Sequence, residues 1–477
     1  MRNASYILMV LFLISCNSNE SNQKVSNELI QIENYLEELN NNNEISGNIL
    51  IAKKDSIVFQ KSYGYSNLDF KIPNTLDTKF SIASMGKMFT GISIMQLVER
   101  GQLSTDDKIG KYLPEYPNKL VRDSVNIHQL LTHTSGLPDF MTADYYASAK
   151  DRYRTIHDLS HLYQTKELRY APGTKFAYCN SDYIVLGLII EKVSGLTYDE
   201  YIEKNIFKIA NMTNTKNYMK DHIVENLAVG YSRSTVYPGE LMKNLYLGSV
   251  TGGSAGGGYS TLSDILNFSI ALKNNRFLNA NNTEILTRGK ADNNTYAYGF
   301  ADITTNQHRI IGHSGGHFGV ACELRIFEDL DYTVVLLTNK DAEDGFLDVR
   351  YFIQKQLTGS TPSLESYYNT KELIESILKN EKSITDEVLS TKLRLREDML
   401  NVEGYYQLGL GNYDIAIKIF EITTEAFPNS ANAFDSLGEA YMKSGDKDSA
   451  IKNYKKSFEL DALNSNAKEM IKKLNMK

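Results

Sequence analysis

Ser84-Met85-Gly86-Lys87 sets a hydroxyl and an ammonium three residues apart at the head of an apolar, helix-periodic segment. On a helix that spacing brings both side chains to one face. A cation beside the hydroxyl, with the positive end of the helix, stabilises the alkoxide formed when serine attacks a carbonyl. The pattern alone carries little, because Ser21, Ser376, Ser444, Ser449 and Ser465 each begin the same Ser-x-x-Lys. Ser84 differs in its setting. Lys79-Phe80-Ser81-Ile82-Ala83 leads in, and Met88, Phe89, Ile92 and Met95 share one face of a helix expected over Met85 to Glu99.

Tyr178-Cys179-Asn180 is a second candidate. A phenol acts as general base where neighbouring cations depress its pKa, and an Asn amide can hold a substrate amide. Tyr65, Tyr116 and Tyr367 also begin a Tyr-x-Asn, so the setting decides again: Ala171-Pro172-Gly173-Thr174-Lys175-Phe176 precedes it and a helix follows. The third candidate is Gly312-His313-Ser314-Gly315-Gly316, just before a strand. Its small residues let a substrate lie against the backbone, His313 would border a cleft, and the Gly316 N–H would serve an oxyanion hole.

Taken in order, the three segments resemble the serine β-lactamase, DD-peptidase (penicillin-binding protein) and related esterase superfamily, in particular its class C-like branch. The resemblance extends to Thr132-His133-Thr134-Ser135-Gly136-Leu137-Pro138, to Pro172-Gly173-x-x-Phe176-x-Tyr178 and to the glycine-rich run Gly252 to Gly258. It covers about residues 28–357. It implies that Ser84 is the acylated nucleophile, Lys87 its activating partner, and Tyr178 the base and leaving-group acid. Asn180 would contact a substrate amide, and His313, Ser314, Gly315 and Gly316 would edge the substrate site. The backbone N–H groups of Ser84 and Gly316 would bind the oxyanion. One departure is visible. Penicillin-acting members carry Lys-Thr-Gly at the third segment, where this chain has His313-Ser314-Gly315. Histidine is mostly neutral at pH 7, so a fixed cation for a substrate carboxylate is lost there. His at this place is found among esterase-like and peptidase-like relatives.

Other chemistries find less support. His128 with His133, and His157 with His161, have helical spacing but no acidic partner in a zinc-protease pattern, so no metal is expected. The run Gly248 to Gly258 lacks the Lys-Ser/Thr ending of a phosphate loop and reads as a loop lining the cleft. No cofactor is expected. A net charge of −7 gives no reason to expect nucleic acid as a partner.

The elements that must position these residues follow from the surrounding pattern. An amphipathic helix over Ser26 to Leu39 precedes a hairpin, Gly47 to Ala52 and Ser56 to Phe59, around Lys53-Lys54-Asp55. Further helices are expected over Ser181 to Ser194, ended by Gly195, and from a capping box at Thr261-Leu262-Ser263-Asp264 through Leu272. Cys322 to Ile326 and Tyr332 to Thr338 read as paired strands. Strands at both ends with helices between make an α+β domain: an antiparallel sheet flanked by helices, plus an all-helical part.

From about Leu364 to the end (364–477) the chain is helical and charged. Gly411, Ala416 and Phe420 recur as Gly445, Ala450 and Tyr454, each 34 residues on, a period similar to that of tetratricopeptide repeats. Two units are clear and a degenerate third would occupy about 364–400; such repeats offer a surface for a protein partner. At the other end, Arg2 and the apolar stretch Tyr6 to Ile14 stop at Leu13-Ile14-Ser15-Cys16, which resembles a bacterial lipoprotein signal over residues 1–16 with lipidation at Cys16. A polar tether over 17–27 follows. These features predict a lipid-anchored protein of the cell envelope, with Cys179 and Cys322 as free thiols.

Two readings emerge. In the first, the chain is a serine hydrolase of a β-lactam, a D-Ala peptide or a small ester. In the second, it is a catalytically idle sensor of cell-wall fragments that recruits partners through its repeats.

Overall fold

The computed structural model describes residues 27–233, 240–381, 394–462 and 464–475. The signal segment, Cys16 and the tether up to residue 26 lie outside the described residues. Two compact units are present, one formed by the described residues up to Ser232 with Leu241–Thr358, the other beginning at Gly359.

The first unit is built on a six-stranded antiparallel sheet. Strands β1 (Gly47–Lys53) and β2 (Ser56–Tyr63) form a hairpin whose turn residues, Lys54 and Asp55, both take positive φ (48° and 63°), as a two-residue turn between twisted strands requires. Strands β3 (Ala301–Thr305), β4 (His308–His317), β5 (Val320–Phe327) and β6 (Tyr332–Thr338) follow late in the chain. The sheet order is β2-β1-β6-β5-β4-β3, so β1 lies beside β6, with Gly47 opposite Thr338. Because side chains alternate along a strand, the apolar runs of β1 and β6 feed two cores. Ile49, Ile51, Val334 and Leu336 pack with Ile32, Leu36 and Leu39 of the helix over residues 27–41 (α1). Leu50, Ala52, Val335 and Leu337 join the larger core on the opposite face.

That larger core surrounds helix α2 (Lys87–Glu99), which is buried on every side from Lys87 to Leu97 and not merely along the Met88–Met95 face. Its polar residues are satisfied inside: Thr90 donates to the Ser254 carbonyl (2.7 Å) and Gln96 to that of Asn205 (3.2 Å). Helix α3 (Asn180–Ser194) ends at Gly195 in the left-handed conformation (φ 72°). Helix α4 (Leu262–Lys273) is capped by Thr261, whose hydroxyl accepts from the Asp264 N–H. The expected reciprocal half of that box is missing, because the Asp264 carboxylate accepts instead from Asn214 N and the Thr215 hydroxyl, both at 2.7 Å.

The second unit consists of helices α5 (Pro362–Leu378), α6 (Glu397–Leu410), α7 (Tyr413–Ala426), α8 (Ala431–Ser444), α9 (Lys447–Leu460) and α10 (Ser465–Asn475). The bounds of α6 and α7 reappear in α8 and α9 shifted by the 34-residue period. Gly411 and Gly445 close the first helix of each pair with positive φ. A β-carbon on Gly404 or Gly438 would meet Phe420 or Tyr454 respectively, so the small and aromatic positions of the repeat are one contact made twice. Part of the third unit expected near 364–400 falls outside the described residues.

Candidate active site

Ser84 sits in a tight turn, Ala83–Gly86, immediately before α2. The turn is held from three sides. Ala83 adopts φ 38°, a conformation non-glycine residues rarely take, and its carbonyl accepts from Gly257 N at 2.9 Å. Gly256 presses on the same turn, where a β-carbon would stand 2.2 Å from the Ala83 oxygen and 2.9 Å from the Ser84 Cα. From the sheet, a β-carbon on Gly315 would come within 2.9 Å of the Ser84 nitrogen. Two glycine-bearing segments thus fix the Ser84 backbone by sheer proximity, and larger residues would displace it.

Lys87 is fully buried, and its Nζ lies 3.2 Å from Ser84 Oγ, 2.8 Å from Asn180 Oδ1 and 2.6 Å from the Ala255 carbonyl. Burial pushes its ammonium from an ordinary 10.5 down to about 7, although Asp139, Cys179 and Asp182 pull the other way. A large neutral fraction at physiological pH follows.

Tyr178 borders the cavity with 38% of its surface exposed, while its hydroxyl is hydrogen-bonded to Ser84. The condition for a phenol to act as general base, a pKa depressed by cations, is not met here. Lys87 Nζ stands 4.8 Å over the Tyr178 ring, yet burial dominates and pushes the phenol up; the Ser84 hydrogen bond opposes this only in part. Asn180 opens α3 and is held inside the protein. Its Oδ1 accepts from Lys87, and both its backbone N–H (2.7 Å) and Nδ2 (3.1 Å) donate to Asp139 Oδ2.

The third segment divides. Strand alternation turns His313 inward, leaves Ser314 exposed, and buries Gly315 under Ser84; of the four residues only Gly316 lines the cavity. His313 is buried behind the cavity wall, its ring 6.4 Å from that of Tyr178. Its Nδ1 donates to the Ser314 carbonyl, so its Nε2 accepts from the Tyr296 hydroxyl (3.2 Å). Tyr296 in turn accepts from His133 Nε2 (3.1 Å), and His133 Nδ1 takes the Cys179 N–H at 3.2 Å and faces Asp182 Oδ2 at 3.3 Å. Ser135 donates to the other Asp182 oxygen. Burial pushes both imidazoles down, His313 to about 4, and pushes the Asp182 carboxyl well up.

Ser84, Tyr178, Asn180 and Gly316 thus meet around one cavity of about 460 Å³, a size suited to a small ligand. Phe140, Tyr145, Tyr146 and Phe318 give it aromatic walls, and Gly252, Gly253, Ala255, Gly256 and Gly257 form the cleft-lining loop expected from the sequence.

Residues 32–357 match the family described as Beta-lactamase. The chain belongs to the Beta-lactamase family. Within it, the chain is 29% identical over 336 residues to penicillin-binding protein 4* of Bacillus subtilis, covering 67% of this chain and 74% of that one. It is 28% identical to protein flp of Staphylococcus aureus over 62% of this chain; it spans only 59% of that relative's length. A penicillin-binding protein of Bacillus halodurans superposes with a TM-score of 0.61 at 32% identity, over 67% of this chain and 98% of the other. Residues 431–462 separately match a tetratricopeptide repeat. The chain is thus a serine hydrolase-fold member of the Beta-lactamase family followed by a repeat-bearing helical unit.

Several residues of this Beta-lactamase-family site escape a reading by motif. Asp139, Asp182 and Tyr296 carry no local signature; His133 and Ser135 lie in the recognised Thr132–Pro138 run, but their partners come from distant segments. His128 pairs with the Tyr298 hydroxyl (2.8 Å), His157 with Glu191 (2.6 Å), and His161 stacks on Tyr153. Among the described residues, no group of three or more His, Cys, Asp or Glu side chains is placed to hold a metal ion. Cys179 and Cys322 are buried free thiols.

Proposed function

We propose that this protein hydrolyses a small ester or amide through an acyl-enzyme on Ser84, with Lys87 as the general base. The observation that carries the proposal is the 3.2 Å approach of Lys87 Nζ to Ser84 Oγ in a setting that favours the neutral amine. Lys87 takes the hydroxyl proton as Oγ bonds to the substrate carbonyl carbon, and the N–H groups of Ser84 and Gly316 receive the charge that develops on oxygen. The raised phenol of Tyr178 stays protonated, so it serves as the acid that protonates the leaving group. It does not start the reaction as a base. The Lys87 ammonium returns its proton to the Tyr178 phenolate; water then adds to the acyl-enzyme, losing a proton to Lys87, and that proton passes to Ser84 Oγ as the C–O bond to the acyl group breaks and the carboxylic acid leaves.

Neutral, buried His313 in place of a fixed cation favours ester or peptide-like substrates over penicillins. The intact Ser84–Lys87–Tyr178 cluster favours catalysis over an idle sensor. Lipid attachment at Cys16, with residence in the bacterial cell envelope, is part of this proposal and rests on the sequence; labelled palmitate incorporation that persists in Cys16→Ser would refute it. The repeats are proposed to bind a protein segment.

The decisive experiment treats folded full-length protein with a fluorophosphonate. A covalent mass increase on the peptide carrying Ser84, absent in Ser84→Ala, is expected. No adduct with any acylating probe would overturn the reading.

A further inference from the structure

The side-chain amide of Asn180 is already committed to protein partners. Its Oδ1 accepts from Lys87 Nζ at 2.8 Å. Its Nδ2 donates to Asp139 Oδ2 at 3.1 Å and to Met141 Sδ at 3.3 Å, so both N–H bonds of the amide have acceptors. The resemblance gives this asparagine a substrate amide to hold, but no donor is left over for a substrate carbonyl. Nor can the amide turn round. A half-turn would set its NH2 against the Lys87 ammonium and its oxygen against the Asp139 carboxylate, a group that only accepts.

Asp139 is thus the residue that dictates which end of Asn180 meets Lys87. Its Oδ1 accepts from Met141 N at 2.9 Å, and its Oδ2 takes the Asn180 backbone N–H at 2.7 Å. Its neighbours Phe140 and Met141 line the cavity, whereas Asp139 does not. It reaches the chemistry only through Asn180 and through its charge. The other titratable groups around Lys87 are Tyr178, Cys179, Asp182 and Tyr183 about the start of α3, His133, and His313 on β4. Burial pushes the four acids among them up and both imidazoles down, each toward its uncharged form. Foremost among the groups that hold the Lys87 ammonium up against its own burial is Asp139.

We propose that Asp139 is a positioning residue: it locks the Asn180 amide with its oxygen on Lys87 and its N–H groups on protein acceptors, so that Asn180 supports the base and does not bind a substrate amide carbonyl. The inference rests on the reading of Lys87 as base for Ser84. It also narrows the substrate class, because an acylamino group beside the scissile carbonyl gains nothing from Asn180.

One test follows phosphonylation of Ser84 by a fluorophosphonate against pH in full-length protein. In the wild type the second-order rate should rise through about 7, where Lys87 loses its proton. Asp139→Asn removes the charge and frees the Asn180 amide to turn, and both changes disfavour the ammonium. Its limb should move down by about one pH unit and its plateau should fall by about tenfold or more. Asp139→Glu keeps the charge and the acceptor oxygens and should return the limb to near 7. A limb that stays put in an Asp139→Asn protein melting like its parent would overturn the proposal, since a mere brace for α3 lowers the rate without moving its pH dependence.

A second test needs no change at Asp139. The p-nitrophenyl esters of N-acetylglycine and pentanoic acid have acyl chains of equal length, and only the first carries an amide carbonyl. Divided by their rates with hydroxide, their kcat/KM values in the wild type should agree within about threefold. A preference of about tenfold or more for the acetylglycine ester, the worth of one hydrogen bond, that Asn180→Ala removes would also overturn the proposal. A wild type that the fluorophosphonate leaves unmodified would strike the hydrolase reading instead, so the two failures are distinguishable.

Discussion

Gly256 lies so close to Ala83 that any β-carbon at 256 would stand 2.2 Å from the Ala83 carbonyl oxygen. The contact is with backbone, which cannot swing away, and the next residue is Ser84, the proposed nucleophile. Gly256→Ala is therefore expected to lower kcat for a p-nitrophenyl ester by about 100-fold, the scale set by ångström displacements of a reacting group. Its KM should change far less, and steady-state kinetics separates the two.

Lys87 gives a pH signature. The base must be neutral, so kcat/KM should rise with pH through about 7 and level off above it. Lys87→Met should cost roughly 1000-fold or more and abolish this limb. The same group affects stability. Its folded pKa lies below the ordinary 10.5, so between about 7 and 10.5 the unfolded chain binds the extra proton and this group's contribution to stability increases with pH. Urea titrations across that window should show a shallower rise in Lys87→Met.

Tyr178→Phe should discriminate by leaving group. Amide hydrolysis needs a proton delivered to nitrogen and should fall by about 100- to 10,000-fold, the usual worth of an acid catalyst. A p-nitrophenyl ester releases a stable anion and should fall much less. Equal losses on both would assign Tyr178 a different role.

Tyr296 joins His133 and His313 through one hydroxyl, 3.1 and 3.2 Å away. Tyr296→Phe removes the partner of two buried ring nitrogens at once. A loss of about 1–3 kcal/mol per orphaned group is expected, read as a lower melting temperature in thermal unfolding.

Short-chain esters should be turned over faster than a chromogenic cephalosporin, because buried His313, its imidazole pushed down to about 4, supplies no fixed cation at the third segment. A panel that includes D-Ala-D-Ala peptides, run on wild type and Ser84→Ala, checks the order.

Much of this was readable from local sequence. The β1–β2 turn, the Gly195 helix end and the 34-residue repeat depend on neighbours in the chain, and the structure has each of them. The third segment held a signal that motif reading passed over: on a strand, residues 313 and 315 share one face, here buried, and 314 and 316 the other, here exposed. Asp139 and Asp182 were illegible for another reason. Each is an isolated acid whose role appears only when the first turn of α3 docks against the 132–141 segment. The Tyr178 phenol and the Lys87 amine depend on burial, a property of the assembled core that no tripeptide encodes.

The pairing of β1 with β6 also sets an order of events in biosynthesis. The turn carrying Ser84 leaves the ribosome early, but the strand bearing Gly315, and the β6 edge that receives β1, emerge some hundreds of residues later. Until Tyr332–Thr338 is available, β1 presents an open edge, and until the strand bearing Gly315 is in place the Ser84 turn lacks the backing that shapes it. Such long-range closure is slow, whereas neighbouring helices of the repeats meet soon after synthesis. The proposed active site of this protein is thus among the last parts of its first unit to exist, and a chain that stops short of β6 has the residues without the site.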